Sequence, residues 1–295
     1  MKQLAIISGK GGTGKTSITA AFASLTKGRA VYADCDVDAA DLHLILKPKV
    51  IKTMKFHGLK TAVMDKEKCI GCRRCYENCR FNAIDDELNI IEERCEGCGV
   101  CVYVCPSRAI TLTERDSGLL YISETRFGPM VHAKLSTAEE SSGKLVSMVR
   151  ENAKNLAEEK NKGLIIIDGP PGIGCPVIST ITGVDLVLVV VEPTVSAIHD
   201  MSRVIDVSKH FSIPSVVCIN KYSLNEEKTS EIIEYCRSND IEVVGMLPYD
   251  TVVIESMVQE KTVIEYPNTV FSDKIRLMWR DVEDKLFNGV REVEG

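Results

Sequence analysis

The chain predicts an α/β fold: a mainly parallel sheet with helices on both faces and a small second unit carried in one loop. Three observations lead there. Short apolar runs rich in β-branched residues recur at 4–8, 30–33, 164–167, 186–191, 215–219 and 242–246, and each reads as a strand buried on both faces. Stretches with helical spacing lie between most of them, at 15–27, 139–160, 195–211 and 226–238, and such alternation builds a parallel sheet through right-handed crossovers. The alternation then stops near residue 60 and resumes near 118, and the gap holds two similar halves, CIGCRRCYENC at 69–79 and CEGCGVCVYVC at 95–105. This internal repeat reads as a small duplicated module inserted into a loop of the larger domain. The expected boundaries are 1–59 with 114–295 for the larger domain and 60–113 for the insert. Segments 118–123 and 130–133 read as two more short strands whose place in the sheet stays open.

Composition narrows the function classes. With 295 residues, 44% hydrophobic and 26% charged, the chain has ordinary globular usage, which excludes disorder and low-complexity architectures. No apolar run approaches the roughly 20 residues of a membrane span, and the N-terminus lacks the apolar core of a secretory signal. A cytoplasmic protein is expected. The net charge of −6 argues against a sequence-independent grip on nucleic acid, so no nucleic-acid partner is expected. Eight of the twelve cysteines lie between Cys69 and Cys105; without signs of export, metal ligation explains that density better than disulfides.

Directly after the first strand stands Gly9-Lys10-Gly11-Gly12-Thr13-Gly14-Lys15-Thr16, which fits G-x4-G-K-S/T in its strand–loop–helix context. The residue types follow from the chemistry of an anion. Glycines let successive N–H groups converge on phosphate, the helix start adds its positive dipole end, Lys15 neutralises β/γ-phosphate charge and the Thr16 hydroxyl ligates Mg²⁺. Gly11, Gly12, Thr13, Gly14, Lys15, Thr16 and Ser17 are the expected phosphate contacts.

With Lys10 just before the glycine pair, the loop resembles the deviant phosphate loop of the MinD/ParA-like ATPases and the nitrogenase iron protein. The resemblance implies that Lys10 reaches across a dimer interface to the partner's nucleotide, so that ATP is sandwiched between two subunits in a homodimer or related heterodimer. Val31-Tyr32-Ala33-Asp34-Cys35-Asp36-Val37-Asp38 is similar to the family's switch I, which makes Asp36 the residue that positions the attacking water. Residues 164–167 followed by Asp168-Gly169-Pro170-Pro171-Gly172 look like its Walker B strand and switch II, with Asp168 holding Mg²⁺ through water and the Gly172 backbone near the γ-phosphate. Ile219-Asn220-Lys221 resembles the adenine-contacting segment, and Leu247-Pro248-Tyr249-Asp250 the loop over the other side of the base; each is also readable as a plain turn. Lys10, Lys15 and Asp36 are thus the expected catalytic residues, and ATP or ADP with Mg²⁺ the expected nucleotide.

Cys69-x2-Cys72-x2-Cys75-x3-Cys79 and Cys95-x2-Cys98-x2-Cys101-x3-Cys105-Pro106 each match the bacterial ferredoxin run, in which the fourth cysteine ligates the other cluster. The first 4Fe–4S cluster should take Cys69, Cys72, Cys75 and Cys105, and the second Cys95, Cys98, Cys101 and Cys79. A Zn(Cys)₄ site is the alternative use of C-x2-C pairs, but tandem 2-2-3 spacing speaks for iron. Arg80 follows Cys79 where the ferredoxin pattern commonly has proline, which bears on the potential of one cluster rather than on its presence.

Other signals are weaker. Cys175 lies where the nitrogenase iron protein carries a cluster-ligating thiol, yet residues 106–167 hold no second cysteine, so a structural or electron-path thiol is the preferred reading. Cys35, Cys218 and Cys236 read as core residues. His132 and Lys144 stand out just after the insert, with a satisfied strand histidine and a helix-start lysine as the plainer readings. Glu192-Pro193-Thr194-Val195-Ser196 follows a strand and reads as a helix cap. The amphipathic stretch 273–293 carries many acids, which favours packing on the body over lipid binding.

The whole chain resembles MinD-superfamily P-loop ATPases with an inserted ferredoxin-like α+β domain. The expected function is ATP binding and hydrolysis that switches a dimer and governs electron transfer through two 4Fe–4S clusters, with a redox protein as donor or acceptor. The alternatives are an Mrp-like carrier that delivers clusters to a client protein, and a MinD-like positioning ATPase whose clusters sense redox state.

Overall fold

The computed structural model describes residues 1–136, 142–266 and 269–289. Among the described residues nine strands form one sheet: β1 (Lys2–Ser8), β2 (Ala30–Asp34), β3 (Lys49–Met64), β4 (Ile110–Thr125), β5 (Gly128–Leu135), β6 (Leu164–Pro171), β7 (Leu186–Val191), β8 (Ser215–Asn220) and β9 (Glu242–Leu247). Their order is β3-β4-β5-β2-β6-β1-β7-β8-β9. The helices are α1 (Lys15–Leu25), α2 (Leu42–Leu46), α3 (Arg74–Glu77), α4 (Val100–Val104), α5 (Ser142–Glu159), α6 (Cys175–Ile181), α7 (Ala197–His210), α8 (Glu226–Ser238), α9 (Val252–Val258) and α10 (Val270–Asn288).

The six strands expected from apolar runs are all present, and they pair in parallel: β1 with β6 and β7, β2 with β6, β7 with β8, β8 with β9. The stretch 118–123 is part of β4 and 130–133 part of β5, which pairs in parallel with β2. The two-residue turn at Arg126 and Phe127 between β4 and β5 admits only an antiparallel pair. No expectation covered β3. Its sequence KVIKTMKFHGLKTAVM leaves most side chains exposed or half-buried, so no apolar alternation marks it, and pairing along β4 makes it a strand. The expected helix 139–160 is observed as α5; residues 139–141 lie outside the described residues, as do 290–293 of the expected C-terminal stretch.

The chain forms two compact units, one of Met1–Thr53, Leu120–Lys134 and the residues from Ser142 on, the other of Met54–Leu119 with a short return after Lys134. The divisions fall inside β3 and β4, outside the boundaries expected at 60 and 113, because both strands extend beyond the cysteine repeat.

In the larger unit, α1 and α10 cover one face around Leu4, Ile6, Phe22 and Leu188. Phe22 and Trp279 meet at 4.7 Å between ring centroids. A side chain at Gly245 would stand 2.4 Å from Met278 Sδ, so glycine leaves room for the Met278 side chain of α10 against β9. A capping box at Thr269 and Ser272 starts α10, and its apolar stripe of Phe271, Ile275, Met278, Trp279, Val282 and Leu286 is buried. Burying such side chains stabilises by roughly 1.5–3 kcal/mol each, which is why this stripe packs on the body as expected. Among the described residues no helix is long and apolar enough to cross a membrane.

Candidate functional site

Strand β1 lies between β6 and β7 and delivers the loop Gly9–Gly14 to the carboxyl edge of the sheet, where α/β folds bind ligands. Two glycines are required there by geometry. A side chain at Gly9 would stand 2.5 Å from Asp200 Cβ, and Gly14 combines φ +94° with an approach that would put a Cβ 2.4 Å from Asn220 Nδ2.

Behind the loop lies a buried group of charges. Lys15, at the start of α1, is 6% exposed; burial pushes its pKa down, opposed by Asp168, Asp36 and Asp34. Asp168 accepts a hydrogen bond from Thr19 Oγ1 at 3.0 Å. Burial raises its pKa to about 6, against hydrogen bonding by Thr16 and the charge of Lys15. Asp34 is fully buried and is pushed well above the carboxylate range, first by burial and then by Asp168. Its two oxygens accept the N–H groups of Asp36 and Leu42, each at 3.2 Å, so Asp34 fixes the turn that carries Asp36. Asp36 is itself raised, chiefly by burial, with Lys15 acting against it. The buried Thr13 hydroxyl has no partner, in keeping with a loop shaped for an anion. The donors and carboxylates present fit a nucleoside polyphosphate with Mg²⁺.

A cleft of about 620 Å³ opens above this group. Gly11, Gly12, Gly14, Lys15, Thr16, Ser17, Asp36, Asn220, Pro248, Tyr249 and Asp250 line it, which brings together most of the residues singled out in the sequence. Lys10, Thr13, Asp168 and Gly172 are outside the lining. Asp168 is buried at 1% exposure, Gly172 donates its N–H to Ser8 O at 2.9 Å, and Lys10 turns toward Glu192 and Thr194. Asn220, expected at the base, already uses both ends of its amide. Nδ2 donates to Thr13 O at 2.7 Å, and Oδ1 accepts the Lys221 N–H at 3.0 Å, so its first task is bracing the phosphate loop. The Tyr249 N–H donates to Ser223 Oγ, and Asp250 Oδ1 accepts the Val252 N–H.

Several lining residues carried no sequence signal. Val253, Ile254, Met257 and Phe271 form an apolar wall contributed by the α9 region and α10, far along the chain from the loop. Glu192 stood in a segment noted only as a cap, although an acidic residue at a strand end facing two lysines could have been suspected.

His132 is packed between Tyr121 and His43, with ring centroids at 4.9 and 5.9 Å, and its Nε2 lies 3.2 Å from Ser123 Oγ. It is thus a satisfied strand histidine. Burial, with His43 adding to it, lowers its pKa to about 4. The unfolded chain takes up a proton here near pH 6.5 that the folded chain refuses until about pH 4, so stability falls as pH drops through that window. Urea titrations should show the stability lost between about pH 6.5 and 4 reduced in His132→Gln by at most about 3.4 kcal/mol; an undiminished loss would assign it to other groups. Cys35, Cys218 and Cys236 are buried, and burial pushes all three thiols up, as core cysteines require. Cys175 is exposed at the start of α6, and Lys144 lies in the first turn of α5.

In the smaller unit, Cys75 and Cys95 are buried and Cys69, Cys79, Cys101 and Cys105 pack on Ala62, Ala83, Ile84, Leu88 and Ile110; Cys72 and Cys98 are exposed. Burial raises the Cys75 and Cys101 thiols, with smaller contributions from Cys69 and Cys72 and from Cys95 and Cys98 respectively. One small cavity is lined by Cys95, Cys98 and Cys101 together with Cys79 of the first run. Backbone N–H groups point at sulfur: Ala62 at Cys95, Ala83 at Cys79 and Ala109 at Cys105, at 3.3–3.4 Å. Burial works to raise the Cys105 thiol, but bonds from Ser107 and Ala109 outweigh it and hold the thiol below its ordinary value. A side chain at Gly97, at φ +61°, would stand 2.2 Å from Lys60 O, so glycine lets the second run lie tightly against the backbone of β3. Among the described residues no group of three or more His, Cys, Asp or Glu side chains is arranged to hold a single metal ion. Four of the eight cysteines line this cavity, and soft donors with N–H groups aimed at Cys79, Cys95 and Cys105 have the chemistry of thiolate cluster ligands.

Fold and loop together define a P-loop α/β nucleotide-binding protein. The family model of the CobQ/CobB/MinD/ParA nucleotide binding domain matches residues 4–263, and the chain belongs to this family. An uncharacterised protein of Methanocaldococcus jannaschii is 34% identical over 285 residues, 96% of each chain. Pyruvate synthase subunit PorD of Methanothermobacter marburgensis is 43% identical over 49 residues, which are 17% of this chain and 60% of that subunit. Among solved structures, the septum site-determining protein MinD of Pyrococcus horikoshii complexed with Mg-ADP shares the fold at a TM-score of 0.62, with 16% identity and 99% of both chains covered.

Proposed function

We propose that the chain is an ATP-binding and ATP-hydrolysing iron–sulfur protein in which nucleotide-driven dimer switching governs electron transfer through two 4Fe–4S clusters. The observation that carries this reading is the presence on one chain of the phosphate-loop site and of eight cysteines whose second run shares a cavity with Cys79. Family membership supports the nucleotide half, and the short likeness to a pyruvate synthase subunit supports a module that occurs in other proteins.

Lys15 and the loop N–H groups would bind the β/γ-phosphates, Thr16 would ligate Mg²⁺, and Asp168 would hold it through water. Lys15 and Mg²⁺ together would offset the repulsion between the polyphosphate and the carboxylates of Asp34, Asp36 and Asp168. Asp36, tied to Asp34 through its own N–H, orients the attacking water. Its raised pKa suits brief proton uptake. Cys69, Cys72, Cys75 and Cys105 would hold one cluster, and Cys95, Cys98, Cys101 and Cys79 the other; when bound, such clusters accept and release single electrons. Along the chain, the turn carrying Asp36 continues through α2 into β3 and the smaller unit, so a nucleotide that binds one switch state more tightly biases a connected segment.

Anaerobic potentiometry followed by EPR, with and without MgATP, tests this. Potentials that shift with iron retained support electron transfer. Iron that leaves for an apo-acceptor supports the carrier, and unchanged potentials with ATP-dependent binding to lipid vesicles support the positioning ATPase.

A further inference from the structure

One guanidinium joins the far ends of two segments that line the cleft. The first runs from the turn carrying Asp36, Asp38 and Asp41 into α2, and the second is α9, which supplies Val253, Ile254 and Met257. Arg126, in the two-residue turn between β4 and β5, donates from Nη1 to Ile45 O at 2.7 Å and from Nη2 to Glu260 O at 3.2 Å. Its Nε and Nη2 grip the Glu265 carboxylate at 3.1 and 2.8 Å, and the guanidinium lies 4.6 Å over the Phe127 ring. Helices leave their last carbonyls without partners. Ile45 lies in the last turn of α2, and Glu260, at φ +54°, belongs to the turn after α9; Arg126 satisfies a carbonyl in each. Glu265 is fixed in turn by the Thr262 N–H, which it accepts at 2.7 Å. Burial works to raise its pKa, but the bonds from Arg126 and Thr262 outweigh it and hold the carboxylate below its usual value. A second link between these ends, Lys47 with Glu260, has both side chains more than half exposed and contributes little.

We propose that Arg126 is a positioning residue that makes α2 answer to the α9 wall, so that a base seated on that wall steadies the turn carrying Asp36. The inference rests on the reading of the cleft as a nucleotide site whose base lies against Val253, Ile254 and Met257. The planar fork explains the residue type. Arginine, unlike lysine, presents donors in one fixed plane to a carboxylate and to carbonyls beside it, so a single rigid group sets the distance between the two segments. Helix α2 has five residues, too few to hold its shape alone. Its start is fixed by Asp34, which accepts the N–H groups of Asp36 and Leu42, and Arg126 supplies the anchor at its other end. A ligand that orders α9 then also orders α2, whereas an anion that fills only the phosphate loop does not reach this tie.

Hydrogen-exchange mass spectrometry of the purified full chain tests this by comparing a non-hydrolysable ATP analogue with inorganic tripolyphosphate, each saturating and with Mg²⁺. In the parent the analogue should slow exchange across 36–47 about five-fold more than tripolyphosphate does, the lower end of ordinary coupling between sites. In Arg126→Gln that surplus should vanish while the analogue still protects 252–262. Arg126→Lys should regain part of it, because an ammonium reaches a carbonyl without the fork. Glu265→Gln leaves Arg126 its carbonyl bonds but weakens its hold on the α9 side, and should shrink the surplus as well. A surplus retained in Arg126→Gln overturns the proposal, and so does one lost together with the protection of 252–262, which marks a merely structural arginine. Equal protection of 36–47 by the two ligands in the parent also overturns it. If in the parent the analogue leaves 9–17 or 252–262 unprotected, the reading of the cleft fails instead, and the proposal falls with it.

Discussion

Replacing Cys79 by serine is expected to remove the cluster of the other cysteine run. Anaerobically reconstituted protein should fall from about eight to about four irons per chain, and the surviving EPR signal should belong to the cluster of Cys69, Cys72 and Cys75. The reason is spatial. Cys79 lines the same cavity as Cys95, Cys98 and Cys101, and a tight three-cysteine loop can grip only three corners of a cubane. Cys105→Ser is the mirror experiment and should spare the cluster of Cys95, Cys98 and Cys101. If each serine variant lost the cluster of its own run, the crossed ligation would be wrong; if either retained all its iron, the cysteine would not be a ligand. Two zinc ions per chain in place of iron would replace the electron-transfer reading with a structural one.

The second large effect concerns Lys15. Its ammonium is buried among Asp168, Asp36 and Asp34, and the polyphosphate would meet those carboxylates directly without it. Lys15→Ala should therefore weaken MgATP binding about a hundred-fold or more, the scale of removing one partner from a buried charge pair, and hydrolysis should vanish with it. Titration of a fluorescent ATP analogue gives the affinity directly. Iron content should not change, because the cysteines lie in a separate stretch of chain; a variant that loses its iron as well would indicate misfolding rather than a binding defect. Retained affinity would mean that the loop does not hold phosphate.

Those two sites are alike in how legible they are. The cysteine spacing and the phosphate loop are short-range patterns: each places its donors within a few residues, so the chemistry is readable before any fold is known. The same holds for the six parallel strands, whose apolar runs carry their burial in their composition. The strand Lys49–Met64 is the opposite case. Its polar, exposed side chains give no periodic signal, and hydrogen bonding to β4 is a long-range fact.

By itself the sequence determined the class of fold and the family, and it set the expectations for the phosphate loop and for the two sets of sulfur donors, because these depend on residue types at fixed local spacing. Only the tertiary structure decided that Asn220 braces Thr13, that α9 and α10 wall the cleft, that Cys79 shares a cavity with the second run, and that Glu192 holds Lys10 and Lys221 together. Thr13 and Asn220 are 207 positions apart, and burial and charge choose among partners at such range only once the chain has brought them within a few ångströms.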